Sequence, residues 1–481
     1  MVLAAIAVNA CAPLEPRPEL PIDTAIPPGN SSTFDRATAN AEAQHPGQSA
    51  FRLVIEGTEA FVTRAHSARM AERSLDVQTY IWHADLTGLY LAHVLLDAAD
   101  RGVKVRLLID DLDARAKNMG FAALAAHPNI DVRVFNPFVT RSGTLVLVSE
   151  GLWNFDRLNR RMHNKTWIAD NRIAIAGGRN IGNEYFSASD EVNFFDLDFA
   201  MVGPVVRDAS ASFDKYWNSP SAYPIESLNP ESVSPAEMEK MRTALAAATQ
   251  QAETSRYAKT LAESEAIKRL IEGDWPMQWA DQYQFISDDP LKVTMQQFDA
   301  VRTQVGSVIA PTLGATTQHA SIISPYFVPG KEGTKGLTTL SQSGKQIRIL
   351  TNSLVANDVA AVHGGYSQYR KPLLTGGVQL WELKPVSGTQ ESSSIFGSSG
   401  ASLHTKALSV DSSKLFVGSY NLDQRSTWLN CEQGVLVENA VLAKQFEGIF
   451  VTQTDGLHAW QVTLEKDDLK WSDDKKSFDS D

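Results

Sequence analysis

HNKTWIADNRIAIAGGRN at residues 163–180 and HTKALSVDSSKLFVGSYN at residues 404–421 follow one pattern, H-x-K-x4-D-x6-G-x2-N. The first copy supplies His163, Lys165, Asp170, Gly177 and Asn180; the second supplies His404, Lys406, Asp411, Gly418 and Asn421, each 241 residues after its counterpart. At ordinary residue frequencies one such copy arises by chance in roughly one chain in ten thousand. Two copies in register mark a duplicated unit. In each, apolar and β-branched residues surround polar turn residues, which predicts two buried strands joined by a tight turn. Residues i and i+2 of a strand share a face, so His163 points with Lys165 and His404 with Lys406. Asp170 and Asp411 fall at the turns, where they tie the turn or brace the site. The glycines end the second strand, where a bare backbone can approach a ligand, and the amides of Asn180 and Asn421 can donate to an anionic oxygen.

Neither copy makes a site alone. Displacement at phosphorus needs a nucleophile on one side and an acid behind the leaving group. Two copies face to face provide two imidazoles, two ammoniums and two amides around one phosphate. One imidazole attacks to form a phosphohistidine while the other protonates the leaving oxygen, and the roles then exchange. The lysines and asparagines neutralise charge on the non-bridging oxygens. This chemistry calls for no metal and no cofactor, and the sequence has no HExxH pattern and no cysteine cluster. An attacking imidazole also needs a carboxylate on its other nitrogen to hold the tautomer.

The duplicated motif resembles the signature of the phospholipase D superfamily. SLDVQTYIWHADLTG (74–88), LLDAADRGVKVRLLIDD (95–111) and DVRVFNPF (131–138) are similar to the first half of bacterial cardiolipin synthases. ISPYFVPG (323–330), IRILTNSLVANDVAAVHGGYSQYR (347–370) and GSYNLDQRSTWLNCEQG (418–434) are similar to the second half. FDRLNRRMHNK with GGRNIGNEYF is nearest to the cardiolipin synthase C branch, and the likeness spans about residues 45 to 460. It implies a catalytic set of His163, Lys165, Asp170, His404, Lys406 and Asp411, with His163 attacking and His404 protonating the leaving group. It also implies transfer of a phosphatidyl group onto phosphatidylglycerol, with phosphatidylethanolamine as donor. Glu432 resembles the acidic position that follows the second motif across the superfamily. Asp196 or Asp198 in FFDLDFAMVGP sits on the corresponding strand of the first half. The two carboxylates brace the histidine of their own half or of the opposite one, unless Asp196 merely caps a strand end. We place Asn180, Asn421, Glu432 and Asp198 on the substrate side. Glu184, Asp423 and Arg425 follow the motifs closely and shape the pocket. His363 and Tyr366 either border the headgroup site or pack within a helix.

The organisation follows the duplication. Strand-like segments alternate with amphipathic helical ones, the βα rhythm of an α/β protein. The expected fold is two pseudo-symmetric halves, each a mostly parallel β-sheet flanked by helices, sharing one active site. Residues 1–45 read as a lipoprotein signal remnant and tether, 46–220 as the first half and 221–284 as a helical connector. Residues 285–460 form the second half and 461–481 a charged tail, whose final SDDKKSFDSD should be disordered. In the connector, Ser234, Pro235 and Glu237 spell a helix start.

Composition narrows the function. A formal net charge of −12 weighs against a nuclease, whose surface clusters Lys and Arg. Arg157, Arg160, Arg161 and Lys165 nevertheless crowd the approach to the first motif, as a solvated helix end or an attractor of phosphate headgroups. Of the two cysteines, Cys431 reads as a buried small hydrophobe. Cys11 ends an apolar run that resembles a lipoprotein processing site but lacks a basic n-region. Trp153 and Phe155 line an apolar mouth for a second lipid or pack into the core. The partners expected are phospholipids at a membrane surface, not nucleic acid, with the protein peripheral or lipid-anchored in a bacterium. Water could replace the lipid acceptor, so a hydrolytic phospholipase D remains the alternative, and a non-catalytic scaffold the third class.

Overall fold

Asp170, Asn171, Asp411 and Ser412 all take positive φ, between 49° and 53°, the left-handed conformation that short polar side chains tolerate best. They turn Thr166–Ala169 back on Ile173–Gly177, and Ala407–Val410 back on Lys414–Gly418, as antiparallel hairpins. Each hairpin is the middle of a large sheet. The structure is a computed structural model that describes residues 16–114, 118–138, 159–228, 233–295, 303–354, 356, 360–385, 401–473 and 476–478. Cys11, Trp153, Phe155 and Arg157 lie outside the described residues, as does the side chain of His363.

The first sheet runs Gln278–Ala280, Ser49–Val54, Asp198–Val202, Ile173–Gly177, Thr166–Ala169, Ser74–Thr79, Lys104–Asp110, Ile130–Phe135, Ala222–Pro224. The second runs Tyr283–Ser287, Gln433–Glu438, Lys414–Gly418, Ala407–Val410, His319–Ile323, Gln346–Asn352, Gln379–Leu383, Ala459–Glu465, Asp468–Ser472, Ser477–Phe478. The two α/β halves are as expected, but the sheets are mixed and not mostly parallel. Among the described residues of these two sheets, parallel pairing is confined to Ser74–Thr79, Lys104–Asp110 and Ile130–Phe135, and to His319–Ile323, Gln346–Asn352 and Gln379–Leu383. Helical crossovers such as Leu86–Asp100 and Gly330–Gln342 join these neighbouring strands and bring the chain back in the same direction. The motif strands are joined by tight turns, which force antiparallel pairing.

Three cores follow. One lies between the first sheet and the helices Gly57–Met70 and Leu86–Asp100. Another is its counterpart in the second half, around Val305, Ile322, Leu337 and Leu380. The third joins the halves: Phe51, Leu108, Phe135 and Met162 pack in one cluster with Ile323, Leu350, Leu403 and Cys431. Burial of Cys431 matches its reading as a small hydrophobe.

Both ends of the described chain are docked, unlike the tether and tail expected. Asp23 accepts from Lys104 Nζ at 2.6 Å and Trp217 Nε1 at 3.2 Å. A capping box of Ser32 and Asp35 starts the helix Thr33–Gln44, and Asp35 also accepts from Arg172 Nε at 2.6 Å. These carboxylates find cationic partners on the first half, which outweighs the Pro-rich composition. At the other end Trp471 is 2% exposed. Its Nε1 donates to Glu382 Oε2 at 2.9 Å, and the Arg370 guanidinium lies 5.0 Å from its ring. A single large apolar anchor suffices to order a charged strand. Tyr366, 2% exposed and edge-on to Phe327, belongs to this core and not to a headgroup site. Trp471→Ala should lower the denaturation midpoint, at a cost of about 3–5 kcal/mol for a buried Trp, which urea titration followed by circular dichroism would measure.

Candidate active site

Backbone bonds between the halves bring the motifs together. His163 N–H donates to Cys431 O at 2.8 Å, and Cys431 N–H to Arg161 O at 2.9 Å. His404 N–H donates to Phe195 O at 2.9 Å, continuing the parallel pairing of Ala401–Leu403 with Asn193–Phe195. A side chain at the end of each sheet's third βα strand holds the residue before each histidine. Asp110 Oδ2 accepts from Met162 N–H at 2.8 Å, and Asn352 exchanges bonds of 3.1 and 3.2 Å with the Leu403 backbone.

Each latch delivers a carboxylate. Glu432 follows Cys431, and its Oε2 lies 2.9 Å from His163 Nδ1. Asp196 follows Phe195, and its Oδ2 lies 2.5 Å from His404 Nδ1. Each carboxylate thus braces the imidazole of the opposite half. With Nδ1 donating to a carboxylate, the Nε2 lone pair is left for chemistry. The two dyads differ in detail: Ser419 Oγ donates to Glu432 Oε2 at 2.5 Å, and Ser419 O lies 3.1 Å from His163 Nδ1. At the equivalent place in the first half stands Gly178, where a Cβ would come within 2.2 Å of Asp196 Oδ1.

The imidazoles, ammoniums and carboxylates are all buried. Burial, reinforced by the Lys165 and Lys406 charges, holds His163 well below its ordinary value. Burial and Lys406 also lower His404, but Asp196 opposes that fall. Lys165 is lowered well below the usual range by burial, against the pull of Glu432. Burial raises Glu432. It would raise Asp196 too, but His404 and Lys406 hold that carboxyl below its ordinary value. Lys165 Nζ donates to His163 O at 2.5 Å and Lys406 Nζ to His404 O, so each ammonium stays beside its own imidazole. Aromatic rings wall the pair. Tyr80 stands edge-on to His163 at 4.9 Å, Tyr185 edge-on to His404 at 5.1 Å, and Phe194 stacks on His404 at 5.4 Å.

Several sequence expectations are relocated. Asp170 accepts from the amides of Glu72, Arg73 and Ser74, and Asp411 from those of Thr317, Gln318 and His319. They tie the hairpin turns to the neighbouring strand, at the opposite strand end from the histidines. Gly177 and Gly418 make room for protein, not ligand: a Cβ would meet Leu197 O at 2.4 Å or Gln433 O at 2.3 Å. Asp198 is turned away from the imidazoles. Its Oδ2 accepts from Arg64 at 3.0 Å and Arg179 at 3.3 Å; one strand ends at Phe195 and the next begins at Asp198, so the two aspartates do not share a strand face. Asp196 has the place given to Asp198. Asn180 is tied to Ile81 N and Tyr185 Oη, whereas Asn421 Oδ1 has no partner among the described residues.

Arg161 is no surface charge: it is fully buried on Asp110 at 3.1 Å. Arg160 spans the halves to Lys292 O and Trp428 O, both at 3.4 Å, and Arg425 bonds Asn159. Asp423 caps the short helix Gln424–Trp428, and burial raises its carboxyl to about 6. Glu184 pairs with His83 at 3.0 Å. With Asp85 these form a cluster within 4.8 Å, but Asp85 already accepts from Gly88 and Asn183. The sequence reading missed Ser419, Tyr80, Tyr185, Phe194, Asp110 and Asn352. The last two were detectable, since they stand 242 residues apart, one off the motif interval.

The chain matches the family described as cardiolipin synthase, PLD-like domain, over residues 65–217 and 309–453. It is 41% identical to cardiolipin synthase C of Escherichia coli K12, covering 88% of each chain. It is 24% identical to cardiolipin synthase A of Pseudomonas syringae, covering 83% of this chain and 67% of that one. Among solved structures, phosphatidylserine synthase of Haemophilus influenzae Rd KW20 superposes with a TM-score of 0.57 at 13% identity, covering 87% of this chain and 91% of that one. That likeness shows the fold.

The two first-half aspartates should separate on substitution. Asp196→Asn removes the charge that opposes the fall of His404, so the His404 pKa should drop further, as read from imidazole NMR shifts against pH. Asp198→Asn should leave it in place and instead destabilise the fold by about 3–5 kcal/mol, as expected for one partner lost from a buried ion pair.

Proposed function

The chain belongs to the cardiolipin synthase family with phospholipase D-like domains, and from that premise we propose that it transfers a phosphatidyl group between phospholipids through a covalent phosphohistidine. The observation that carries this reading is the exchange of carboxylates, Glu432 to His163 and Asp196 to His404. It presents two imidazoles, both with Nε2 available, beside two lysines. Such a site can attack phosphorus from one side and protonate a leaving oxygen from the other.

His163 is the attacking group in this proposal. It is the imidazole held further below its ordinary value, and only a neutral imidazole has the lone pair to attack. His404 keeps a carboxylate that favours its cation, which suits the proton carrier. His163 Nε2 bonds to phosphorus as the bond to the donor's headgroup oxygen breaks, and protonated His404 gives that oxygen its proton. His404 then takes the proton of the acceptor hydroxyl. The hydroxyl oxygen attacks phosphorus, and the bond to His163 breaks. Phosphatidylglycerol is the acceptor, and phosphatidylethanolamine or a second phosphatidylglycerol the donor. Lys165, Lys406 and Asn421 hold the non-bridging oxygens, in the manner of a preorganised oxyanion site. Both substrates are insoluble in water, so the reaction is placed at a membrane surface. No helix among the described residues is long and apolar enough to cross a membrane.

Purified protein given isotopically labelled phosphatidylethanolamine and phosphatidylglycerol should yield labelled cardiolipin by mass spectrometry. Phosphatidic acid alone would assign hydrolysis instead. His163→Ala and His404→Ala should each lower turnover by roughly 10²–10⁴-fold or more. A rapid quench at alkaline pH should place the phosphate on the peptide that contains His163; phosphate on the His404 peptide would reverse the roles. Chelators should leave the rate unchanged, because the lysines supply the positive charge.

A further inference from the structure

The duplicated halves differ at one groove. Asp170 caps Glu72, Arg73 and Ser74 as Asp411 caps Thr317, Gln318 and His319, so the halves are in register there at a separation of 245 residues. Counting back along the preceding helices, Gly57–Met70 and Gln304–Gly314, Phe61 and Gly306 hold the same position. The buried neighbours agree: Ala60 matches Val305, and Ala68 matches Leu313.

In the first half the protein fills this groove itself. The Phe61 ring lies 5.4 Å from Tyr90 and 5.6 Å from both Phe186 and Tyr257. Tyr257 comes from the connector helix Arg256–Glu263 and is locked by its hydroxyl on Phe186 O at 2.7 Å. In the second half glycine replaces the phenylalanine. The groove there is a cavity of about 760 Å³ between Gln304–Gly314, Gly330–Gln342 and the loop after the second motif. Ile309, Leu313, Leu337, Leu340, Tyr420 and Leu422 give it an apolar lining. Its volume falls in the range of about 300–1,000 Å³ of pockets that hold organic ligands. Tyr420 and Leu422 stand on either side of Asn421, so the chain that lines the groove is the chain that carries the second motif into the site.

We propose that this groove takes an acyl chain of the phospholipid whose phosphate lies between His163 and His404. The inference rests on the phospholipid reading above. The acyl chain is the large apolar part of that substrate, and leaving it in water beside a bound headgroup is unfavourable. The groove supplies matching apolar surface along the chain that leads out of the second motif, on the half where connector and phenylalanine do not occupy it.

Two measurements test this on the full chain. Phosphatidylglycerol with a diazirine near the end of one acyl chain is irradiated with the protein in detergent micelles, and the labelled peptides are mapped by mass spectrometry. Label should fall within Gln304–Gly314, Gly330–Gln342 or residues 420–428; label elsewhere overturns the proposal. Gly306→Phe should abolish that label and raise KM for long-chain phospholipid about tenfold, a loss of roughly 1.4 kcal/mol of binding. Its kcat, and its turnover of dihexanoyl phospholipid, should stay as in the wild type. A Cβ at Gly306 meets only the Tyr420 ring and hydroxyl, at 3.3 Å or more, and Gly306→Ala serves as the control without a ring. Equal loss on long and short chains would refute the groove assignment. So would a dimer in sedimentation that Gly306→Phe dissociates, since a second copy would then be the occupant. If the wild type converts neither lipid yet the label still maps to the groove, the transferase reading falls and the groove stands.

Discussion

Everything in the site depends on each half lending a carboxylate to the histidine of the other. Glu432 and Asp196 reach His163 and His404 only because Cys431 and Phe195, the residues before them, accept the histidine amides across the interface. Backbone bonds have little freedom of length, so this arrangement fixes where each imidazole stands relative to the opposite half. It also makes each half incomplete. Without Asp196, His404 would lose the acceptor that sets its tautomer and the partner for its cation, and without Glu432, His163 would keep only Ser419 O. The apolar cluster that includes Met162, Leu403 and Cys431 supplies the burial that holds the halves together around these bonds.

Duplication sets up the symmetry, and small departures from it give the halves different work. Gly178 and Ser419 are equivalent positions in the two motif copies. Glycine lets the short Asp196 side chain approach, while serine donates a hydroxyl to Glu432. The carboxylates also differ in proton affinity: His404 and Lys406 hold Asp196 below its ordinary value, whereas burial raises Glu432 against the pull of Lys165 and the Ser419 hydroxyl. The asparagines diverge as well. Asn180 is consumed by Ile81 and Tyr185, and Asn421 Oδ1 has no partner among the described residues.

Residue spacing made the two hairpins, the facing His-Lys pairs and the two-half architecture legible, because period-two patterning and a tight polar turn are local properties. What it could not convey was which side of a strand end faces the partner half. Asp196 and Asp198 sit two apart and are equally acidic, yet Leu197 and Asp198 run beside Gly177 and only Asp196 meets His404. Similarly, the polar composition of residues 461–481 reads as a tail. Strand pairing and the buried Trp471 reverse that, the latter through a contact with Glu382 and Arg370 that lies about ninety residues away in sequence. The motif aspartates read as catalytic by resemblance, and their backbone-capping bonds are what the turn geometry had suggested. Non-local pairing decided each of these cases.

The charge balance of the buried site explains how it readies itself for an anion. Burial favours neutral imidazoles, which stand among two lysines and two carboxylates. A phosphodiester entering between them adds one negative charge in a place of low effective dielectric, which stabilises a cation nearby. His404 is the group best placed to take the resulting proton, because Asp196 already favours its charged form. In the reaction proposed above, binding the substrate would create the acid that the leaving group needs without protonating His163. Once the headgroup departed, His404 would again be a neutral base, and the acceptor hydroxyl would be the next proton source within its reach.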